Sequence, residues 1–246
     1  MPGGCFFWSR ERYEKVNKVL FCLPYAGGSA GVFHDWSTAL KGVAVVCPLE
    51  YAGRGRRFRE NFRSTIEETA EDICDQIRSK QENEYILFGY SMGCLVALES
   101  VFELKRRSMP LPKALIVAAT CPPHLMDRDR HLSGLSPNEL MKEISSFGQM
   151  DEVPEGSELY EIVSRILYAD VQMFSNYHRD HSEKLSLPIL ALAGKDDTQA
   201  PPEDMKEWCH YTTGPFTFRA AGGGHFFAFQ NDPEVYRMIS DYLNSL

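Results

Sequence analysis

Short, unbroken runs of apolar residues recur along the chain, separated by longer stretches in which apolar positions repeat with helical spacing. The apolar runs lie at residues 18–24, 43–48, 85–88, 113–119 and 187–193, and a more polar, β-prone run lies at 216–220. Apolar runs without polar alternation are typical of strands buried on both faces of a parallel sheet. The helical stretches include residues 32–40, 65–80 and 94–107. The pattern predicts an α/β fold in which helices flank a mostly parallel central sheet.

The interval between the fourth and fifth apolar runs, residues 120–186, is unusually long. It far exceeds the helix of about 10–15 residues that joins neighbouring parallel strands. Helical patterns occupy residues 137–147 and 158–177, with Pro154 and Gly156 between them. We interpret the interval as a helical lid inserted over the C-terminal edge of the sheet. The chain, residues 1–246, is then a single domain and not two.

The third apolar run leads directly into the sequence G-Y-S-M-G at residues 89–93, which a helical stretch follows. The pattern G-x-S-x-G also occurs by chance in surface turns, so its place between a strand and a helix gives it meaning. There, a sharp turn presents the serine above the sheet. The glycines on either side keep Cβ atoms out of the crowded strand–helix junction. We therefore predict that Ser91 is a catalytic nucleophile.

An acid and a histidine follow the last two predicted strands. Residues 194–197 read G-K-D-D, and residues 222–225 read G-G-G-H. A serine hydroxyl needs a base to take its proton and an acid to orient that base, so we predict His225 as the base. The spacing G-x-x-D favours Asp197 as the acid, and Asp196 is the alternative. The order serine, aspartate, histidine is that of the α/β-hydrolase fold.

A glycine-rich loop, Y-A-G-G-S-A-G at residues 25–31, follows the first strand. It lacks the G-K-[ST] ending and the G-x-G-x-x-G spacing of nucleotide-binding loops. In a serine hydrolase such a loop can donate a backbone amide to the oxyanion of the tetrahedral intermediate. We predict an oxyanion hole made of the amides of Ala26 and Met92. The alternative is a plain flexible turn.

Five arginines lie between residues 54 and 63 of a chain whose net charge is −8. One interpretation of this segment is a solvated loop. The other is a cationic rim that binds an acidic partner or a phosphate-bearing substrate, with Arg54, Arg56 and Arg57 as docking residues.

Composition narrows the function classes further. The net charge of −8 argues against a nucleic-acid-binding protein. No apolar stretch approaches the length of a membrane-spanning helix, and residues 1–14 lack the apolar segment of a signal peptide. The seven cysteines are scattered without a C-x-x-C pair, which favours a reducing, cytoplasmic location. The H-x-x-H pattern at 178–181 is weak evidence for a metal, so no metal and no organic cofactor is predicted.

Taken together, the motifs resemble those of the type II thioesterases. These are free-standing α/β-hydrolase thioesterases that serve polyketide synthases and nonribosomal peptide synthetases. The resemblance rests on L-P-Y-A-G-G-S at 23–29, G-R-G at 53–55, G-Y-S-M-G at 89–93, G-G-H-F-F at 223–227 and A-D at 169–170. It extends from about residue 8 to the C-terminus. The charged segment 126–131 departs from the family pattern and leaves the acyl preference open.

The resemblance implies hydrolysis of acyl groups from the phosphopantetheine thiol of acyl or peptidyl carrier proteins. In that family the reaction often serves editing, which removes aberrant or stalled chains during antibiotic biosynthesis. The partners would be carrier domains, whose acidity gives the arginine segment a use in docking. We also expect a monomer. Alternatives are a product-releasing medium-chain acyl-carrier thioesterase, a carboxylesterase, and a non-catalytic carrier-binding module.

Overall fold

Six parallel strands form the central sheet in a computed structural model that describes residues 18–80, 84–146, 154–230 and 232–246. The strands are β1 (Val19–Leu23), β2 (Val45–Pro48), β3 (Tyr85–Tyr90), β4 (Leu115–Ala118), β5 (Ile189–Gly194) and β6 (Phe216–Ala221). Their order is β2-β1-β3-β4-β5-β6, and every neighbouring pair is parallel. The predicted α/β class is confirmed. Residues 1–14, for which the sequence predicts no signal peptide, lie outside the described residues.

Helices cover both faces of the sheet. They are α1 (Trp36–Ala39), α2 (Ile66–Lys80), α3 (Met92–Arg106), α4 (Pro137–Ser146), α5 (Glu158–Ser175), α6 (Pro202–Lys206) and α7 (Pro233–Ser245). Short 3-10 segments lie at Ala30–Phe33, Gly55–Arg57, Glu207–Tyr211 and Phe227–Phe229, and a long one lies at Pro123–Gly134. Phe21 and Leu87 pack on the α2 and α3 side, whereas Leu20 and Phe88 pack on the α1 and α7 side. Successive strand residues are therefore buried on opposite faces, which explains the unbroken apolar runs.

Among the differences between predicted and observed elements, two have a cause in the hydrogen bonds of the chain. The strand predicted from residue 43 begins at Val45, because the amides of Val43 and Ala44 donate to the Leu40 carbonyl and close the turn after α1. The helix predicted over 32–40 is divided into a 3-10 turn and α1. The first part is a 3-10 turn and not an α-helix, because its hydrogen bonds span three residues. The His34 amide, for example, donates to the Gly31 carbonyl.

The position of β1 between β2 and β3 creates a reversal in the strand order. In open parallel sheets such a switch point opens a crevice at the carboxyl ends of the strands, where ligands bind. Leu23, the last residue of β1, is in register with Gly89 near the end of β3. The glycine-rich loop and the G-x-S-x-G turn therefore leave the sheet side by side.

The segment between β4 and β5 contains the long 3-10 segment, α4 and α5, and we call residues 120–186 the lid. These elements pack together through an apolar cluster separate from the two main cores. The cluster comprises Leu132, Leu140, Met141, Tyr160, Leu167 and Val171. Ala26 of the glycine-rich loop and Phe174 of α5 pack against it, so the lid lies over that loop. Among the described residues, none of the helices is long and apolar enough to cross a membrane.

Candidate active site

Ser91 occupies a strained turn between β3 and α3. Its backbone angles are φ 50° and ψ −121°, which residues with a side chain rarely adopt. At Gly89 and Gly93 there is no room for a side chain. A Cβ on Gly89 would lie 2.3 Å from the carbonyl oxygen of Gly93, and a Cβ on Gly93 would lie 2.3 Å from that of Leu23. The sequence therefore presents the serine side chain at the end of the sheet.

His225 connects Ser91 to Asp197. The His225 Nε2 atom lies 3.2 Å from the Ser91 Oγ atom, and Nδ1 lies 3.1 Å and 3.2 Å from the two carboxylate oxygens of Asp197. Because a carboxylate only accepts hydrogen bonds, Nδ1 carries the proton and donates it toward Asp197. The Nε2 atom is then free to accept the proton of the serine hydroxyl.

Asp197 is held as a buried carboxylate. Its Oδ1 atom accepts hydrogen bonds from the amides of Gln199 (2.9 Å) and Ala200 (3.1 Å). Burial alone would raise its pKa, but hydrogen bonding to the His225 ring, the charge of that ring and the two amides outweigh burial, so the pKa lies below its usual value. The alternative acid, Asp196, is exposed. The structure therefore places Asp197, and not Asp196, beside the histidine.

Tyr90 fixes the backbone of the histidine loop, a contact that sequence reasoning did not anticipate. Its hydroxyl donates to the carbonyl oxygen of His225 at 2.5 Å. Burial raises the pKa of Tyr90 well above its usual value, so the hydroxyl remains a donor. The only available signal was its place immediately before the nucleophile, since the partner lies 135 positions away.

In the glycine-rich loop the Ala26 amide is available for an oxyanion, whereas the next two amides already have acceptors. The Gly27 amide donates to the Asp170 carboxylate at 2.7 Å, and the Gly28 amide donates to the Tyr25 carbonyl at 2.9 Å. Within the described part of the chain, the Ala26 amide has no such acceptor. Met92 begins α3, where the first amides of a helix lack intrahelical partners. Both residues line one cavity with Ser91 and His225.

That cavity lies between the sheet edge and the lid and has a volume of about 60 Å³. Its wall away from the triad is mainly apolar. The apolar lining residues include Leu95, Met126, Leu132, Ile144 and Phe174. A small apolar cavity beside a serine and a histidine suits the hydrocarbon end of an acyl group.

The three predicted docking arginines have different surroundings. Arg54 is buried and forms an ion pair with Asp170, so its side chain is not on a surface that a carrier could contact. That placement corrects the expectation for Arg54. Arg57 is half-buried and pairs with Asp72 and Glu60. Arg56 is exposed. The sequence could not distinguish these cases, because the partner of Arg54 lies in the lid.

The chain is similar to known thioesterases in sequence and in fold. A family model described as Thioesterase domain matches residues 18–243. Thioesterase PikA5 of Streptomyces venezuelae is 34% identical over 240 residues, covering 96% of this chain and 85% of that protein. RedJ, a thioesterase from the prodiginine pathway of Streptomyces coelicolor, superposes with a TM-score of 0.83 at 32% identity, covering 94% of this chain and 86% of that one. The type II thioesterase BorB from the borrelidin cluster gives 0.79 at 30% identity, with 92% of each chain covered.

Proposed function

Because the chain belongs to the thioesterase domain family, we propose that it acts on acyl groups carried on the phosphopantetheine thiol of carrier proteins, and that it serves editing. It is a hydrolase of thioesters, similar to type II thioesterases of polyketide and nonribosomal peptide pathways. The observation that carries the proposal is the Ser91–His225–Asp197 contact series beside a small apolar cavity.

The first half of the reaction forms an acyl-enzyme. Ser91 Oγ attacks the thioester carbonyl while His225 Nε2 takes the hydroxyl proton, and Asp197 stabilises the resulting imidazolium. The negative charge on the carbonyl oxygen is stabilised by the amides of Ala26 and Met92. When the tetrahedral intermediate collapses, the carbon–sulfur bond breaks and the phosphopantetheine thiol leaves with the proton from His225.

The second half returns the enzyme to its starting state. His225 takes a proton from water, and the hydroxide attacks the acyl carbon on Ser91. The same amides stabilise the second oxyanion. The carbon–oxygen bond to Ser91 then breaks, Ser91 receives the proton from His225, and the free carboxylic acid is released.

Cavity volume supports a short acyl group. A cavity needs about 10–15 Å³ to hold one water molecule. The cavity beside Ser91, with a volume of about 60 Å³, exceeds this minimum but remains small. We propose that acetyl and propionyl groups occupy this space and are hydrolysed in preference to medium or long chains. Removal of short, incorrect acyl groups is the chemistry of editing.

Hydrolysis of a panel of acyl-carrier proteins tests the proposal. Carrier domains loaded with acetyl, propionyl, hexanoyl and decanoyl groups are incubated with the enzyme, with Ser91→Ala as the control. We expect rapid, Ser91-dependent release of the short groups with little discrimination between them. Selective release of one long chain would indicate product release. Cleavage of simple esters without release from any carrier would indicate a carboxylesterase.

A further inference from the structure

A buried ion pair joins the lid to the body of the protein. Arg54 follows β2 and is 3% exposed, and Asp170 of α5 is 1% exposed. The two Nη atoms of Arg54 each donate to one carboxylate oxygen of Asp170, at 2.5 Å. Removing two charges from water is costly, so a buried pair is often no more stabilising than apolar residues of the same size. Stability alone therefore does not account for this pair.

Both partners of the ion pair also bind the glycine-rich loop. The Asp170 Oδ2 atom, which already accepts from Arg54, accepts the Gly27 amide at 2.7 Å. Arg54 Nη1 donates to the carbonyl oxygen of Gly28 at 3.2 Å. Gly27 has φ +80°, and Leu167 of α5 lies 3.3 Å from the place where its Cβ would be. Without these contacts, two consecutive glycines would give the loop wide conformational freedom.

The contacts restrict the direction of the Ala26 amide, whose residue lines the cavity together with Ser91. The Gly28 amide closes a turn onto the Tyr25 carbonyl, and the Asp170 carboxylate takes the Gly27 amide. The rotations about Ala26 are thereby restricted. A donor that is already oriented stabilises an oxyanion much more strongly than one that must reorient during the reaction.

We propose that Asp170, held in place by Arg54, is a positioning residue that orients the Ala26 amide as an oxyanion donor and ties this donor to lid helix α5. The inference rests on the proposed function, since it assigns Ala26 to the oxyanion hole. Asp170 does not touch the substrate and acts through the loop.

The test removes the pair without leaving one charge buried alone. In the double variant Arg54→Met, Asp170→Leu both members of the pair become apolar, so neither is left as a buried charge without the other. We expect a folded protein whose kcat for an acyl N-acetylcysteamine thioester falls on the order of 10- to 100-fold, a part of the loss seen when an oxyanion donor is removed. The KM should change little. Affinity for a boronic acid, which forms a tetrahedral adduct on Ser91, should fall by a similar factor.

A second ion pair gives a matched control. Arg179, whose side chain is 24% exposed, pairs with the buried Glu99 of α3. The hydrogen bonds of Glu99 go to Arg179 and Tyr177, and not to the glycine-rich loop. The variant Arg179→Met, Glu99→Leu should keep its kcat and its boronic acid affinity. Equal losses in both double variants would show a general effect of charge removal and overturn the proposal. So would an unchanged kcat in the Arg54, Asp170 variant, or a change in KM alone.

Two further measurements keep the outcomes separable. If the double variant does not fold, Asp170→Asn decides. Its amide has a single acceptor oxygen, so at least one of the hydrogen bonds from Gly27 and the two Nη atoms of Arg54 is lost. A lower kcat at constant KM supports the proposal, and an unchanged kcat overturns it. The wild-type protein is assayed in parallel. If it lacks Ser91-dependent thioester hydrolysis but its boronic acid affinity depends on Asp170, the proposed function fails and the positioning role stands.

Discussion

The hydroxyl of Tyr90 donates to the backbone carbonyl of His225 at 2.5 Å, so the residue before the nucleophile holds the loop that carries the base. Ser91 and His225 come from strand ends far apart in the sequence. Their relative position therefore depends on contacts between the two loops, and this hydrogen bond is one of them.

Replacing Tyr90 with phenylalanine should lower activity more than stability. Loss of the hydrogen bond should cost about 1 kcal/mol in free energy of unfolding, and a small displacement of His225 should lower kcat on the order of tenfold. Tyr85→Phe is the matched control, since the Tyr85 hydroxyl donates to the Pro110 carbonyl at the same distance, 2.5 Å. It should lose similar stability and keep its kcat. Equal kcat values in the two variants would contradict the assignment.

Asp197→Asn should leave the fold intact and abolish most of the turnover. An asparagine can present an amide to His225 and favour the wrong tautomer, which in serine hydrolases lowers kcat by about 10⁴-fold. Steady-state hydrolysis of a small acyl thioester measures the effect. Asp196→Asn should retain the wild-type rate because Asp196 is exposed. The opposite ranking would transfer the orienting role to Asp196.

The stability contributed by Asp197 should depend on pH. Its pKa is lower in the folded protein than the unfolded value of about 3.9. The ionised carboxylate therefore stabilises the fold above that unfolded value, and this contribution is lost as the pH falls through the folded pKa. Urea unfolding of wild type and Asp197→Asn between about pH 6 and about pH 3 should show the difference between them shrinking toward the acid end. A difference independent of pH would mean that the folded pKa is not depressed.

Charge reversal at Arg56 should weaken recognition of the carrier and spare the chemistry. Arg56 is exposed beside the loop that follows β2, and an acidic carrier would be attracted by its charge. We expect Arg56→Glu to raise KM for an acyl-carrier protein by about three- to tenfold and to leave KM for an N-acetylcysteamine thioester unchanged. Arg78→Glu is the control, because the exposed Arg78 lies at the end of α2 that leads to the start of β3. A parallel change for both substrates would rule out docking through Arg56.

The triad was predictable because parallel strands bring their carboxyl ends to one edge of the sheet. Residues that follow β3, β5 and β6 must therefore meet, whatever their separation in sequence. The ion pair of Arg54 was not predictable in this way. Its partner lies on the lid, 116 positions away, and no strand register fixes where a lid helix rests. The cluster of arginines was therefore predicted to be exposed, although Arg54 is buried.

Helix α7 was missed for a different reason. Its buried residues Val235, Ile239 and Leu243 recur every four positions, which is a readable helical pattern, and Asp232 caps its start. The helix lies after the last predicted catalytic residue and belongs to none of the motifs.

Helix α5 supplies both a wall of the acyl cavity, through Phe174, and the anchor of the glycine-rich loop, through Asp170. An acyl chain too long for the cavity would push against the same helix that holds the Ala26 amide in place. Size selection should then act on the rate of the chemical step. A long chain would bind and resist hydrolysis, so a correct intermediate would be spared even while it occupies the enzyme.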